Sequence, residues 1–326
     1  MTSNQIQTTV QIGQSAKPLT RLGMGGSFYG LDHNQQQGEA DILAAMQAAL
    51  DNGITHFDTA TGYGDGYSER LLGRFMAADS TRRDRIFLAS KFASDDMSAA
   101  KTIEAVDASR SRMQTDMIDL YYVHWPRTGK DLRPLMEGLE TARQQGKIQA
   151  IGVSNFSVAQ MEQIAEVGHI DAHQLGYNLL WRYAEQDIIP YCVQHQIAVV
   201  VYSALAHGIL AGKYARQLEF VPDDQRWSIL LFRPDLWPQV YDSVEDFKSL
   251  AANAGHPLVH LALQWLLHQV GVTSVLVSAK DEKQALANIA AFKSEMPASV
   301  LNELTALSDR IAWQIPNEGN PFGYHP

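Results

Sequence analysis

The sequence has a single cysteine, Cys192, among its 326 residues, so a disulfide within the chain is excluded. A chain without disulfides fits a reducing compartment, and we expect a cytoplasmic protein. Long apolar runs are missing as well, because no stretch reaches the roughly 18 residues that a membrane-spanning helix needs. The polar segment Met1–Gln14 has no basic start leading into an apolar run, so we expect no secretory signal.

Basic residues are few, with 26 lysines and arginines against 36 aspartates and glutamates, and the formal net charge is −10. No basic stripe stands out, so we expect neither a nucleic acid nor a membrane surface as a partner. We expect no metal either, because the spaced pair His256 and His260 flanks Pro257 at the start of a predicted helix. The composition, 45% hydrophobic and 19% charged, is that of a folded globular chain. We expect one domain over residues 1–326.

What the sequence does contain is a regular alternation of short apolar runs and longer amphipathic stretches. Gly53 and Gly146 follow two of those stretches, at positions where helices commonly end. Strands that alternate with helices predict βαβ units and a parallel sheet, and eight such units predict an α/β fold closed into a (β/α)8 TIM barrel. The predicted strands are Leu22–Met24, Ile54–Phe57, Arg85–Ser90, Met117–Val123, Ile148–Val153, Ala172–Leu175, Ile197–Tyr202 and Ser274–Val277.

An open, doubly wound sheet is the alternative fold. That fold places a Gly-x-Gly-x-x-Gly turn between an early strand and a helix. The sequence offers Gly23, Gly25 and Gly26, which lack that spacing and lead into Ser27–Tyr29 rather than into a helical pattern. The barrel is therefore the favoured prediction.

Two segments lie outside the alternation. Thr8–Leu19 has the pattern of a β-hairpin that turns at Gly13, and we expect this N-terminal hairpin to close the bottom of the barrel. Gln217–Tyr241 is a long loop after the seventh strand that is rich in aromatic residues. Loops of this length in compact domains are usually functional or disordered, and we expect a substrate-side lid over the active-site mouth. Leu230–Phe232 would either fold onto that lid or form an interface between subunits.

Polar residues stand at the ends of the predicted strands. Asp58 follows the second strand, Lys91 the third and His124 the fourth. Because the active sites of (β/α)8 barrels lie at the C-terminal ends of the strands, these side chains would converge on one mouth. Taken singly, each has an ordinary structural explanation, such as a helix cap for Asp58 or a solvent-exposed side chain for Lys91. Their joint placement favours a catalytic site.

Together with Tyr63 and the run Gly152–Phe156 (GVSNF), these residues resemble the aldo-keto reductase superfamily. The resemblance extends from Leu22 to about Asn288, with four motifs in order at a spacing that suits a barrel. It implies an oxidoreductase that interconverts carbonyls and alcohols with a nicotinamide cofactor, usually NADPH, with NADH possible. The catalytic residues it implies are Asp58, Tyr63, Lys91 and His124.

The chemistry of these side chains suits that reaction. Reducing a carbonyl needs a hydride on carbon, which the cofactor carries, and a proton on oxygen, which Tyr63 can supply. The ordinary tyrosine pKa of about 10 is high for an acid at neutral pH. We expect the Lys91 ammonium to lower the pKa of Tyr63, and Asp58 to hold Lys91 in position. His124 can donate to the carbonyl oxygen and orient the substrate.

The resemblance also implies where the cofactor lies. Ser154, Asn155 and Gln174 match the residues that bond the nicotinamide carboxamide. Tyr202 matches the aromatic residue on which the nicotinamide ring stacks. The run after Tyr202 resembles the loop that covers the pyrophosphate, although Ala204 stands where the family usually has proline. The residues implied in this loop are Ser203, Leu205, Gly208 and Lys213.

A helix start after the eighth strand resembles the family's site for the adenosine 2′-phosphate. A helix N-terminus and a nearby cation both suit a phosphate dianion. Asp281 would repel the phosphate if it pointed inward, but it can instead cap the helix. Ser278 stands where glycine or lysine is more usual. The residues implied are Ser278, Lys280, Gln284 and Asn288, with Lys280 as the specific candidate.

No motif identifies the substrate. We expect Phe28, Tyr29 and Trp125 to line its pocket together with aromatic residues of the segment 217–241. Such a pocket suits apolar aldehydes, and it also suits sugars, whose C–H faces stack on rings. The substrate class therefore stays open between an aldehyde, a ketone and a sugar. The physiological direction of the reaction also stays open, as does the oligomeric state, which we expect to be a monomer or a small homo-oligomer.

Two alternatives to a reductase also stay open. One is a cofactor-sensing binding subunit with little turnover, like the superfamily members that accompany potassium channels. The other is a barrel enzyme such as an aldolase, in which Lys91 forms a Schiff base. Asp58 beside it disfavours the aldolase, because a carboxylate keeps the ammonium charged.

Overall fold

The computed structural model describes residues 9–13, 15, 17–30 and 36–318. Eight strands of this part of the chain form a closed barrel in which every neighbouring pair is parallel, and two short strands precede it. In chain order the strands are β1 (Thr9–Val10), β2 (Leu19–Thr20), β3 (Leu22–Gly25), β4 (His56–Asp58), β5 (Phe87–Phe92), β6 (Ile118–Val123), β7 (Ile148–Ser154), β8 (Ala172–Gly176), β9 (Ala198–Tyr202) and β10 (Val272–Val277).

Helices connect the barrel strands, and β10 pairs with β3 to close the ring. The (β/α)8 prediction is therefore confirmed. Among the described residues, no helix is long and apolar enough to cross a membrane. The helices are α1 (Gln36–Asp51), α2 (Tyr67–Ala77), α3 (Arg82–Arg85), α4 (Ala99–Met113), α5 (Arg133–Gln144), α6 (Val158–Ala165), α7 (Ile188–Gln194), α8 (Trp237–Asn253), α9 (Leu258–His268), α10 (Glu282–Lys293) and α11 (Ala298–Ala312).

The barrel strands are buried on both faces, and their side chains alternate between two cores. In β6, Leu120 and Tyr122 belong to a cluster inside the barrel, whereas Tyr121 and Val123 belong to the layer between strands and helices. This two-residue period is what a strand imposes. Because both faces are apolar, these strands read as continuous hydrophobic runs, as is usual for parallel sheets.

The N-terminal hairpin is confirmed from Thr9 onward; Thr8 lies outside the described residues. β1 pairs antiparallel with β2, and Gly13 has a φ of +54° in the connection. Ile12 and Leu19 are 1% and 0% exposed and pack into the cluster inside the barrel. That cluster includes Phe87, the first residue of β5, so the hairpin closes the N-terminal end of the barrel.

Two strand boundaries differ from the prediction in a way that matters for the site. β4 ends one residue later than expected, at Asp58, and β5 ends two residues later, at Phe92. Asp58 and Lys91 therefore lie within strands rather than after them. The parallel ladder sets this register, since Asp58 lies opposite Ala89 and Lys91 lies opposite Tyr122. Arg85, predicted as the start of a strand, instead ends the helical turn α3.

The predicted loop 217–241 is more ordered than expected. Its last residues belong to α8, which begins at Trp237 with a proline in its first turn, a position that suits proline. Leu230–Phe232 form a buried 3-10 turn, so they fold into the protein and are not a free surface. The Phe232 ring lies 5.6 Å from that of Trp237 and 5.2 Å from that of Phe220. The segment follows β9, and its role as a lid over the mouth stays a prediction.

Candidate active site

Three neighbouring strands bring the four predicted catalytic residues together. Asp58 ends β4, Lys91 lies in β5, and His124 follows β6, where its backbone N–H donates to the Phe92 carbonyl at 2.7 Å. Tyr63 lies in the turn between β4 and α2. The N–H of Thr61 donates to the Lys91 carbonyl at 2.8 Å, which fixes this turn against β5.

Lys91 is the centre of the group. Its ammonium is fully buried and donates to Asp58 Oδ1 at 2.5 Å, to the Thr59 carbonyl at 2.8 Å and to the Tyr63 hydroxyl at 3.4 Å. An ammonium has three N–H donors, so all three have acceptors. Burial opposes the charge, but the attraction of Asp58 and Tyr63 outweighs it and raises the pKa of Lys91. A lysine held charged in this way is unsuited to forming a Schiff base.

The pKa of Tyr63 differs from the prediction. Burial favours the neutral phenol and raises the pKa of Tyr63 above its ordinary value, even though Lys91 pulls it down. Asp58 adds to the rise, because its negative charge opposes a tyrosinate. The expectation of a lowered pKa was therefore wrong for this structure, and the hydroxyl keeps its proton at neutral pH.

The imidazole of His124 lies next to the ring of Tyr63. Its ring centroid is 5.6 Å from that of Tyr63, with the two planes nearly perpendicular, and 5.6 Å from that of Trp125. Burial and the nearby Lys91 lower the pKa of His124 to about 3. The imidazole is therefore neutral at any physiological pH, and it has one N–H to donate to a substrate oxygen.

Gln174 has a partner that sequence reasoning missed. Its amide nitrogen donates to Asp58 Oδ2 at 2.9 Å, and its side chain is 2% exposed. Burial raises the pKa of the Asp58 carboxyl, while hydrogen bonds from Lys91 and Gln174 favour the carboxylate. Nothing in the local sequence signals this contact, because the two residues are 116 positions apart.

The other residues predicted to hold the nicotinamide are also joined to one another. Asn155 donates to the His124 carbonyl at 3.1 Å and to Ser154 Oγ at 3.0 Å, and it accepts from the Tyr202 hydroxyl at 2.6 Å. Its φ of +63° is a conformation that asparagine tolerates better than most residues. The ends of β7, β8 and β9 thus form one surface beside the catalytic residues.

The loop after β9 contains residues with positive φ, a backbone conformation that occurs in tight turns. Ser203 and Gly208 have φ of +52° and +89°, and Leu205 is half-buried. A Cβ on Gly208 would lie 2.8 Å from the Lys213 ammonium, so the lysine side chain lies over this glycine. Lys213 is exposed, and in the part of the chain that the structure describes no carboxylate pairs with it.

The residues predicted to bind the 2′-phosphate lie around the start of α10. Asp281 caps this helix by accepting from the Gln284 N–H at 2.8 Å, as one of the two sequence interpretations expected. The Lys280 N–H donates to Gln284 Oε1 at 3.1 Å, and Asn288 donates to the Ser278 carbonyl at 3.3 Å. Lys280 itself is exposed, at the end of the barrel where Tyr202 and Lys213 also lie.

These groups fit a dinucleotide along the mouth. A flat aromatic residue ends β9, the Lys213 ammonium lies over Gly208 in the loop that follows, and Lys280 precedes α10. Residues 278–288 supply a capped helix start of the kind that suits phosphate. The described residues contain no group of three His, Cys, Asp or Glu side chains that could hold a metal ion.

The predicted substrate residues have different surroundings. Trp125 is half-buried beside His124. Tyr29 is only 4% exposed, so its ring belongs to the core, and its buried hydroxyl has no hydrogen-bond partner among the described residues. The side chain of Phe28 lies outside the described part of the structure. A polar cavity of about 470 Å³ lies next to His124, and sequence reasoning did not foresee it.

Comparison with known proteins identifies the family, and the similarity covers most of the chain. The family model described as "Aldo/keto reductase family" matches residues 21–309. The aldo-keto reductase YhdN of Bacillus subtilis is 33% identical over 84% of this chain and 85% of its own. The NADH-specific methylglyoxal reductase of Escherichia coli is 28% identical over 92% of this chain and 99% of its own.

Solved structures agree with this assignment. The glycerol dehydrogenase of Gluconobacter oxydans superposes with a TM-score of 0.85 at 29% identity, over 96% of this chain and 98% of that one. An aldo/keto reductase of Klebsiella pneumoniae in complex with NADP and acetate superposes with a TM-score of 0.75 at 26% identity, over 97% of this chain and 99% of that one. The chain therefore belongs to the aldo/keto reductase family and is an NAD(P)H-dependent oxidoreductase.

Proposed function

We propose that Tyr63 is the general acid that protonates the substrate carbonyl during its reduction to an alcohol, and the general base in the reverse direction. The observation that carries this proposal is the buried Lys91 ammonium, which contacts both Asp58 and the Tyr63 hydroxyl. As the Tyr63 proton leaves, negative charge develops on the phenol oxygen. The fixed ammonium stabilises that charge without any rearrangement of solvent.

Each neighbour has a separate task in this proposal. The nicotinamide cofactor supplies the hydride when it is bound. Neutral His124 donates to the carbonyl oxygen and orients the substrate beside Tyr63. Asp58 holds Lys91 charged, and Gln174 holds Asp58. Ser154, Asn155, Gln174 and Tyr202 form the surface on which the nicotinamide ring lies.

We further propose that NADPH is the preferred cofactor and that NADH is also accepted. Ser203, Leu205, Gly208 and Lys213 would face the pyrophosphate, while Ser278, Lys280, Gln284 and Asn288 would face the adenosine end. The exposed Lys280 at a helix start supports a 2′-phosphate there. Both cofactors occur among the relatives, since the Klebsiella pneumoniae structure holds NADP and the Escherichia coli relative is NADH-specific.

The remaining parts of the proposal concern the cellular compartment, the oligomeric state and the substrate. One barrel domain carries the whole site, in a cytoplasmic protein that is a monomer or a small homo-oligomer. Its substrate is a small carbonyl compound or sugar, bound beside Trp125 and residues 217–241. Relatives acting on methylglyoxal and glycerol show that small oxygenated substrates are compatible with this family.

The test is a spectrophotometric assay of nicotinamide oxidation with a panel of aldehydes, ketones and sugars, run with NADPH and with NADH. We expect turnover on members of the panel, with a higher kcat/KM for NADPH. Tight binding of NADPH without turnover in either direction would contradict the enzyme and support a cofactor-sensing subunit.

A further inference from the structure

Two arginines, Arg70 and Arg112, line the cavity beside His124. The cavity has a volume of about 470 Å³, within the range of small-molecule sites. His124 and Ala93 line one part of it, next to the reacting groups. The residues that line the rest are Thr61, Gly62, Asp65, Gly66, Arg70 and Arg112.

Two arginine side chains approach Gly66 at one wall of this cavity. A Cβ on Gly66 would lie 2.6 Å from Arg112 Cδ and 3.1 Å from Arg70 Nη1. The single Nε–H of Arg112 is donated to Glu69, so the Nη groups of Arg112 are the ones left for a ligand. Gly66 also has a φ of +75°, so a side chain at this position would be strained as well as crowded. Arg70 forms no ion pair among the described residues, so its charge attracts an anion at this wall of the cavity.

The two arginines are held in different ways. Arg112 donates to the buried carboxylate of Glu69 at 2.5 Å and to Ser109 Oγ at 3.2 Å, so it is fixed in place. Arg70 is exposed and donates to the Asp65 carbonyl at 3.0 Å. Within the described residues no carboxylate forms an ion pair with Arg70. Its remaining N–H groups are therefore available to a ligand.

Two acidic groups lie near the arginines, and one of them, Glu69, forms an ion pair with Arg112. Glu69 lies beneath Arg112 with no exposed surface, and its other oxygen accepts from Ser90 Oγ at 2.6 Å. Asp65 is the acidic residue among those that line the cavity, and it opposes an anion. Its side chain is exposed, so solvent screens it more than it screens the partly buried Arg112.

We propose that this cavity binds a terminal oxyanion of the substrate, a phosphate ester or a carboxylate, with Arg70 and Arg112 as its ligands. The substrate class is then a short-chain aldehyde whose carbonyl lies at His124 and Tyr63 and whose anionic end lies at Gly66. Guanidinium groups suit this role because their planar N–H pairs match the oxygens of phosphate and carboxylate. The proposal rests on the proposed reductase function, because it places the carbonyl at that site.

The test compares kcat/KM for glyceraldehyde, glyceraldehyde 3-phosphate and succinic semialdehyde in wild type and in Arg70→Ala. Arg70 is chosen because Arg112→Ala would leave the buried Glu69 without its partner. Arg74→Ala is the matched control: Arg74 lies one turn further along α2, is exposed, pairs with Glu39 and does not line the cavity. It removes the same charge from the same helix.

We expect wild type to prefer an anionic aldehyde to glyceraldehyde, and Arg70→Ala to reduce that preference at least tenfold through KM. Arg74→Ala should keep the preference. Asp65→Asn should increase it, and asparagine suits the φ of +51° at this position. A larger loss for the phosphate than for the carboxylate would identify a phosphate ester as the substrate. No anionic preference in wild type, or equal losses in Arg70→Ala and Arg74→Ala, would overturn the site.

A second measurement separates this proposal from the reductase itself. Inorganic phosphate is titrated into the protein saturated with NADP⁺, so that the cofactor's own phosphate sites are filled. We expect phosphate binding that Arg70→Ala weakens at least tenfold and Arg74→Ala does not. Equal phosphate affinity in all three proteins overturns the anion site, whatever the turnover. Absence of turnover on every aldehyde would contradict the reductase function. The phosphate-binding result would still decide whether the anion site exists.

Discussion

The amide nitrogen of Gln174 donates a hydrogen bond of 2.9 Å to Oδ2 of Asp58. The other carboxylate oxygen receives the Lys91 ammonium at 2.5 Å, so Asp58 is held from two sides inside the barrel. Gln174 thus acts through Asp58 on the position of Lys91, in addition to any contact with the cofactor.

Gln174→Leu removes this hydrogen bond and leaves a buried carboxylate oxygen without a donor. We expect the free energy of unfolding to fall by about 1–3 kcal/mol and kcat to fall, because Lys91 loses its fixed partner. Denaturant unfolding and steady-state kinetics measure both. Gln264→Leu is the control, since Gln264 is equally buried and donates to backbone carbonyls away from the site. A similar loss of kcat in both variants would remove the positioning role of Gln174.

The pH profile of carbonyl reduction follows from the shifted pKa values. A raised pKa keeps Tyr63 protonated to higher pH, so kcat/KM should stay level through neutral pH and fall only above pH 10, the ordinary value for tyrosine. His124, with a pKa of about 3, contributes no limb near pH 6.5. A loss of kcat/KM between pH 6 and 8 that disappears in His124→Gln would show that the histidine titrates there after all.

The proposed preference for NADPH assigns the 2′-phosphate to Lys280. In Lys280→Ala we expect the Kd for NADPH to rise about tenfold and the Kd for NADH to change little, because only NADPH carries the 2′-phosphate. Fluorescence titration of both cofactors measures the ratio. Lys293→Ala, at the other end of α10, removes the same charge as a control. Equal losses for the two cofactors in Lys280→Ala would place the phosphate elsewhere.

The segment 217–241 should affect the substrate more than the cofactor. Trp227 is half-buried, donates to the Val221 carbonyl at 3.1 Å and packs 5.1 Å from the Phe220 ring. We expect Trp227→Ala to change the ranking of substrates by kcat/KM while the Kd for NADPH stays within about twofold. Trp313→Ala, a partly exposed tryptophan on another element, serves as the comparison. An unchanged ranking would mean that this segment is only surface structure.

The barrel was predictable because its strands are short apolar runs separated by helices, and local patterns record both. The predicted strand ends led directly to Asp58, Lys91 and His124, because the fold gathers the C-terminal ends of parallel strands at one mouth. The residues at which the strands begin and end were less predictable. Lys91 lies inside β5 because the ladder with β6 continues past it, and a pairing partner 31 residues away leaves no local signal.

The parts of the site that escaped prediction depend on burial and on long-range contacts. Lys91 beside Tyr63 suggested a lowered pKa, but the enclosure of both groups reverses the sign, and enclosure is a property of the fold. The convergence of Arg70 and Arg112 on Gly66 joins α2 to the end of α4 and is likewise invisible in sequence. Gly66 is the glycine of this turn that lies against both arginine side chains, whereas Gly62 has open space beside it.

The most direct test of the catalytic account is a comparison of wild type with Tyr63→Phe, using a carbonyl substrate that wild type reduces and measuring both NADPH oxidation and NADPH binding. Removing the general acid should lower kcat by about 10²–10⁴-fold, while the Kd for NADPH stays near that of wild type. Tyr67→Phe, which removes a hydroxyl bonded to Glu39 instead, should keep wild-type turnover. Turnover by Tyr63→Phe within about threefold of wild type would contradict the assignment of Tyr63 as the proton donor.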